Sequence, residues 1–166
     1  MPDIIFDGNV VQYIKGESDR HAEKLSGLIE VAAVYTAGTM AMAGKLSDVE
    51  ADDFKEVYPE WKPNTSYSKG DLLRYLNMSV LVSSNHVSSS VYLPGAEGTG
   101  ALYRPIPPRD EDGNIAEAIR YMNIQAGECV WAGGSLWKSL VSQLPYTGAY
   151  PPGSGFPTVW TEVSVL

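Results

Sequence analysis

The side chains with the most evident chemistry in this sequence are aromatic rings that recur after residue 57. Tryptophan and tyrosine rings are flat, rigid and amphipathic, so an exposed ring can stack on the C–H face of a sugar at little cost in conformational entropy. A row of exposed rings would therefore form a groove for a carbohydrate. The rings considered as binding candidates are Trp61, Tyr67, Trp131, Trp137, Tyr146 and Tyr150.

The same rings also have a structural interpretation. A small β-module with few leucines and isoleucines must fill its core, and Trp or Tyr is the natural filler. Exposed rings also occur at contacts between subunits, so a ring on the surface can meet protein instead of sugar. We expect core or inter-module packing for the following rings: Trp61, Tyr67, Tyr103 and Trp160.

The remaining candidate rings are expected to be more accessible. Trp131 and Trp137 lie on either side of the turn at residues 132–135, and their even spacing could place both on one face of a sheet. Tyr146 and Tyr150 lie in a loop rich in proline and glycine, where we expect exposure to solvent.

Catalytic chemistry is not indicated. A nucleophilic Ser or Cys needs a nearby base, and neither His21 nor His86 suggests such an arrangement. Cys129 is interpreted as a small buried side chain on a strand. The acids of residues 48–56 are interpreted as the solvated face of a short helix rather than as the carboxylate pair of a glycosidase. We therefore expect no catalytic residue and no enzymatic activity.

Metal and cofactor binding are not indicated either. The run Asp110–Asn114 begins like a calcium loop, but Tyr121 holds the twelfth position, where an EF-hand needs glutamate. One cysteine cannot form a disulfide within the chain and gives no zinc-type spacing. There is no phosphate loop and no dinucleotide fingerprint. We expect neither a metal site nor a cofactor, and we interpret Asp110–Asn114 as a turn.

The charge excludes two classes of partner. A net charge of −8 opposes binding to nucleic acid or to anionic membrane surfaces. No apolar run approaches the length of a membrane span, so we expect no membrane insertion. The first seven residues carry acids where a signal peptide needs a basic region, and we therefore expect synthesis in a cytoplasm.

The elements before residue 58 are predicted to be a hairpin followed by short helices. Residues 3–14 alternate around a turn, and apolar residues from about Ala22 recur at helical spacing. Ser47 with Glu50 forms a capping box that opens a short acidic helix ending at about Phe54.

An internal repeat organises the rest of the chain. Displacing the sequence by 57 positions aligns Gly70-Asp71 with Gly127-Glu128, Pro94 with Pro151 and Tyr103 with Trp160. Each unit is predicted to contain three short strands, and the acid after each turn glycine is expected to accept backbone N–H bonds rather than a ligand. The predicted strands are 72–75, 79–83 and 102–106 in the first unit, and 129–131, 136–141 and 159–163 in the second.

The run Tyr58–Tyr75, with its Trp, Tyr and Gly-Asp landmarks, resembles the start of carbohydrate-binding modules of the chitinase type, families 5 and 12. The second unit is similar over residues 127–138 and 159–163. The resemblance is closest to a version common in bacteriophage and prophage tail-region proteins, where a helical segment similar to residues 43–51 precedes the module. It covers residues 43–166 and implies small β-modules in a virion.

The sequence departs from the family pattern at several aromatic positions. The first unit has Val80 in the second strand, Tyr103 in place of the closing Trp, and Leu76-Asn77 in place of a glycine turn. The second unit has Ala118 and Ile124 where the family has its first Trp and Tyr.

The expected fold is α+β, an N-terminal hairpin and short helices followed by two small antiparallel three-stranded β-modules. We expect an attachment or oligomerisation segment at 1–57, a first module at 58–106, a linker at 107–116 and a second module at 117–166.

The resemblance implies a structural protein of a bacteriophage virion, in a tail fibre, a baseplate, or a head fibre or decoration. Its partners would be other virion proteins and further copies of itself, with a trimer as the favoured oligomer. A third partner would be a glycan of the host surface. The alternative is a purely structural spacer or oligomerisation protein without a ligand.

Overall fold

The computed structural model describes residues 47–164. The hairpin predicted for residues 3–14 and the helix predicted from about Ala22 lie outside the described residues. The described helices are α1 (Asp48–Asp53) and a 3-10 helix (Lys55–Val57). The strands are β1 (Ser66–Tyr67), β2 (Leu72–Tyr75), β3 (Met78–Val82), β4 (His86–Val87), β5 (Tyr103–Ile106), β6 (Cys129–Ala132), β7 (Ser135–Ser139) and β8 (Trp160–Val163).

Helix α1 begins at the predicted capping box. The Glu50 N–H donates to Ser47 Oγ at 3.2 Å, and the Ser47 N–H donates to Glu50 Oε2 at 2.8 Å. These bonds satisfy two backbone donors that a helix start leaves unpaired. The bonds that the Ser47 N–H and the Ser47 hydroxyl donate to the Glu50 carboxylate lower the pKa of Glu50. The helix ends at Asp53, one residue before the predicted end. No described helix is long and apolar enough to cross a membrane.

Helix α1 covers one face of the first sheet. Ala51 of the helix and Tyr58, which follows it, pack against Leu72, Leu81 and Ile106 of the sheet. A second tie is electrostatic, because the Arg104 guanidinium on β5 donates to both carboxylate oxygens of Asp48 at 2.7 and 2.8 Å. The segment before the first module is thus part of that module's packing.

The two predicted three-stranded modules are confirmed as two antiparallel sheets, β2-β3-β5 and β6-β7-β8. Adding 57 to each residue number in the first sheet's strand pairs gives the pairs of the second: Leu72 opposite Leu81 becomes Cys129 opposite Lys138. The repeat extends to the two-stranded β1-β4 sheet, whose Tyr67–His86 pair recurs as a bridge between Ile124 and Gln143. The repeat is therefore structural.

The acid after the turn glycine has the same role in both modules. Asp71 Oδ2 accepts the Ser68 N–H at 2.7 Å, and Glu128 Oε2 accepts the Gln125 N–H at 2.5 Å. The preceding glycines have φ of 99° and 96°, a left-handed conformation that glycine adopts without steric cost. The acids fix the turn into the first strand of each sheet, as the sequence predicted.

The segment predicted as a linker contributes to the second sheet. Ile115 is fully buried and pairs in parallel with Val130, because its N–H donates to the Cys129 carbonyl and its carbonyl accepts the Trp131 N–H. Before it, Asp110 accepts N–H bonds from two residues of its own turn, as predicted for Asp110–Asn114.

The modules contact each other through the loop at residues 94–100. The Gly98 N–H donates to the Tyr121 hydroxyl at 2.9 Å. A Cβ at Gly100 would lie 2.6 Å from Tyr121 Cδ1, and one at Gly95 would lie 2.9 Å from Ile119 Cγ2. Two positions without side chains thus allow the loop of the first module to pack directly on the second.

Candidate functional site

The candidate rings of the first module are part of its core. Trp61 and Tyr67 are each 9% exposed and pack with Leu73, Val80 and Tyr103. Trp61 and Tyr67 were therefore wrongly included among the candidate binding residues, because their rings fill the core of the first module. The preference for core packing at both positions is confirmed.

Three polar side chains of this core form a hydrogen-bonded chain. Trp61 Nε1 donates to the Tyr103 hydroxyl at 3.0 Å, and that hydroxyl lies 2.7 Å from His86 Nε2. His86 Nδ1 lies 2.8 Å from the Ser84 carbonyl, which can only accept, so Nδ1 carries a proton and donates to it. Both ring nitrogens of His86 are thus engaged within the first module.

Trp131 and Trp137 lie on opposite faces of the second sheet, so the prediction that both share one face is wrong. Trp131 is opposite Leu136, whereas Trp137 is opposite Val130. Directly opposite residues point to the same face. A two-residue turn, Gly133-Gly134, joins the two strands. Across such a turn, residues separated by an even number of positions lie on opposite faces of the sheet.

Trp131 is half-buried on the face away from the module core. Its Nε1 donates to Asp110 Oδ2 at 2.8 Å. This bond and those from Asn114 lower the pKa of Asp110. The indole therefore braces the turn that precedes the sheet, and its polar edge is already occupied.

Trp137 lies on the other face, beneath the long loop of the module. Its Nε1 donates to the Ala132 carbonyl at 3.3 Å. A Cβ at Gly153 would stand 3.2 Å from Trp137 Cζ2, so the loop backbone lies directly against the ring. Trp137 supports the loop from below and is only partly open to solvent.

The exposure expected for Tyr146 is wrong. It is 4% exposed and packs with Ile115, Met122 and Trp160. The Tyr146 N–H donates to the Met122 carbonyl at 2.8 Å. The start of the loop therefore pairs with an earlier segment and turns the ring inward; burial raises the pKa of its hydroxyl, with Arg120 opposing.

Tyr150 and Phe156 form the exposed aromatic pair of the second module. Tyr150 is 49% exposed and Phe156 is 39% exposed; their ring centroids are 4.8 Å apart, with 75° between the planes. Trp160 holds both, because its Nε1 donates to the Tyr150 carbonyl at 2.8 Å and its backbone N–H to the Phe156 carbonyl at 3.0 Å. We call this pair the aromatic corner.

The first module has no aromatic corner. The 57-residue offset places Tyr150 on Leu93, which packs against the first core, and Phe156 on Thr99, which is fully buried. The backbone turn at Thr99 is shared with Phe156, since the Tyr103 N–H donates to the Thr99 carbonyl as the Trp160 N–H donates to the Phe156 carbonyl. At these two equivalent positions the second module therefore has exposed aromatic rings, whereas the first module has side chains that pack in its interior.

Phe156 was not among the predicted site residues. The signal that could have found it is its position, because Phe156 is the one phenylalanine of three that lies in the long loop of the second unit, which is rich in glycine and proline. Within residues 47–164, no group of three or more His, Cys, Asp or Glu side chains is arranged to hold a metal ion.

Comparison of the chain with protein-family models and with curated proteins finds no match.

Proposed function

We propose that this chain is a non-catalytic structural protein of a bacteriophage virion, and that its second module binds a glycan of the host surface at the aromatic corner. The virion setting rests on the resemblance of residues 43–166 to modules of phage tail-region proteins. The first module and its helix form a structural base, and other virion proteins and further copies of the chain are the partners.

The observation that carries the glycan proposal is the difference between the two modules at equivalent positions. The backbone turn at Thr99 and Phe156 is the same, but Thr99 is buried and Leu93 packs against the first core, whereas Phe156 and Tyr150 are exposed. The two rings pack on each other but remain 49% and 39% exposed, which costs solvation free energy, and a binding role accounts for this exposure.

The geometry of the corner restricts the ligand. Rings inclined at 75° cannot both stack on one flat polysaccharide chain. One ring can stack on the face of a sugar while the other contacts its edge. The corner therefore suits a terminal sugar or a short branch better than the surface of a crystalline polymer.

The second candidate function, a structural spacer without a ligand, is favoured by the burial of six aromatic rings among residues 47–164. These rings, each at 9% exposure or less, are Tyr58, Trp61, Tyr67, Tyr103, Tyr146 and Trp160.

The test is calorimetric titration of the whole chain with soluble chitin oligosaccharides and with glycans released from host cell walls. The proposal predicts saturable binding of at least one glycan, accompanied by a change in tryptophan fluorescence, because Trp160 is bonded to the Tyr150 carbonyl. Absence of binding across the whole set of glycans would contradict the glycan proposal and favour the function of a structural spacer.

A further inference from the structure

The outer strands of the two sheets, β5 and β8, differ in the hydrogen-bonding groups that they turn away from the sheet. In an antiparallel pair, alternate residues bond to the neighbouring strand and the residues between them point outward. The Leu140 N–H donates to the Val159 carbonyl, which fixes this alternation in β8. The backbone N–H and C=O groups of Trp160, Glu162 and Ser164 therefore point away from β7.

The first module blocks the same edge with proline. The Ser83 N–H donates to the Leu102 carbonyl, so the outward positions are Tyr103, Pro105 and residue 107, a second proline. Proline has no N–H, and the Tyr103 N–H is bonded to the Thr99 carbonyl. The edge of β5 therefore offers no free donor, a common protection of edge strands against pairing with another chain.

The second module has lost this protection at both positions. The 57-residue offset replaces Pro105 with Glu162 and the proline at 107 with Ser164. Within the part of the chain that the structure describes, neither N–H has an acceptor. The side chains of Thr161 and Glu162 are exposed.

We propose that β8 pairs antiparallel with β8 of a second copy of this chain, around a two-fold axis at Val163. In this register the Glu162 N–H donates to the Ser164 carbonyl of the second copy and the Ser164 N–H of that copy donates to the Glu162 carbonyl. The axis repeats both bonds, which gives four in all, and the two three-stranded sheets become one sheet of six strands.

The side chains beside the edge favour a second copy as the occupant. Trp131, Leu136 and Val163 are directly opposite one another and form an apolar row that runs to the edge of the sheet. Pairing at Val163 places that residue against its own copy and continues the row across all six strands. It also places Glu162 opposite Ser164, whereas pairing centred on Glu162 would oppose two carboxylates.

The test is the mass of the whole chain in solution, measured by light scattering over a range of concentrations. The wild type is expected to dimerise, and Glu162→Pro is expected to remain monomeric, because it restores the proline that the first module has at this place. Glu162→Gln, which keeps the N–H, is the matched control and is expected to dimerise.

A wild-type protein that is monomeric at all concentrations overturns the proposal, and so does an oligomer of any number that Glu162→Pro leaves intact. Hydrogen exchange of the wild type provides a readout that does not depend on the variant's folding. The Glu162 and Ser164 amides are expected to gain protection as concentration rises, and exchange that is independent of concentration contradicts the pairing.

Discussion

Trp61 and Tyr103, which are 42 positions apart in the sequence, are joined by a hydrogen bond of 3.0 Å from the indole N–H to the phenol hydroxyl. The bond connects the segment that enters the first module to the strand that closes it. Because the hydroxyl also contacts His86 Nε2, one oxygen serves two polar groups within an apolar core. Tyrosine is therefore required at position 103 for more than its ring.

Tyr103→Phe should destabilise the protein although the ring remains. The change leaves Trp61 Nε1 buried without an acceptor and removes the hydroxyl partner of His86 Nε2, which we expect to cost about 1–3 kcal/mol. The measurement is the free energy of unfolding in urea. The matched control is Tyr75→Phe, which removes the hydroxyl of a partly exposed ring in the same core. Equal stabilities of the two variants would contradict the role given to the Tyr103 hydroxyl.

Gly100→Ala should weaken the contact between the modules. Its Cβ would meet the Tyr121 ring at 2.6 Å, and overpacking of this kind costs about 1–3 kcal/mol. A double-mutant cycle with Tyr121→Ala isolates the contact, because Gly100→Ala should cost much less once the ring is gone. The same cost of Gly100→Ala in both backgrounds would show that the clash is not with Tyr121.

Tyr58 should make the protein sensitive to alkali. Burial, with the charge of Asp52 as the second cause, raises the pKa of Tyr58 from 10.0 to about 12. The unfolded chain loses the phenol proton first, so this group leaves stability unchanged below about pH 10 and lowers the stability of the folded state as pH rises from about 10 to about 12. The full loss is up to about 3 kcal/mol.

Tyr58→Phe should therefore flatten the dependence of unfolding free energy on pH between about 10 and 12. At pH 7 the variant should be at least as stable as the wild type, because the buried Tyr58 hydroxyl has no hydrogen-bond partner among the described residues. A loss of stability at pH 7, or a pH profile identical to that of the wild type, would refute this account of Tyr58.

The repeat and the turns were predictable from the sequence because they depend on local geometry. The pairs Gly70-Asp71 and Gly127-Glu128 mark turns that only certain residues adopt, and Ser47 with Glu50 marks a helix start in the same way. The single offset of 57 then carried the strand register from one module to the other.

The exposure of individual rings was not predictable in the same way. Tyr146 and Tyr150 lie in one loop of similar composition, yet one is 4% and the other 49% exposed. The difference comes from the pairing of Tyr146 with Met122, a contact between distant segments that no local pattern contains. The faces of Trp131 and Trp137 depended likewise on the length of the turn between them.

The most direct test of the proposed function compares two exposed tyrosines in glycan binding. Tyr150, in the aromatic corner, is 49% exposed, and Tyr92, in the first module, is 53% exposed and provides the matched control. Affinity for the best glycan found with the wild type is measured by calorimetry for Tyr150→Ala and Tyr92→Ala. Loss of one ring stacked on a sugar should weaken binding about tenfold for Tyr150→Ala, equivalent to about 1.4 kcal/mol, and leave Tyr92→Ala unchanged. Equal affinities of both variants and the wild type would contradict binding at the aromatic corner.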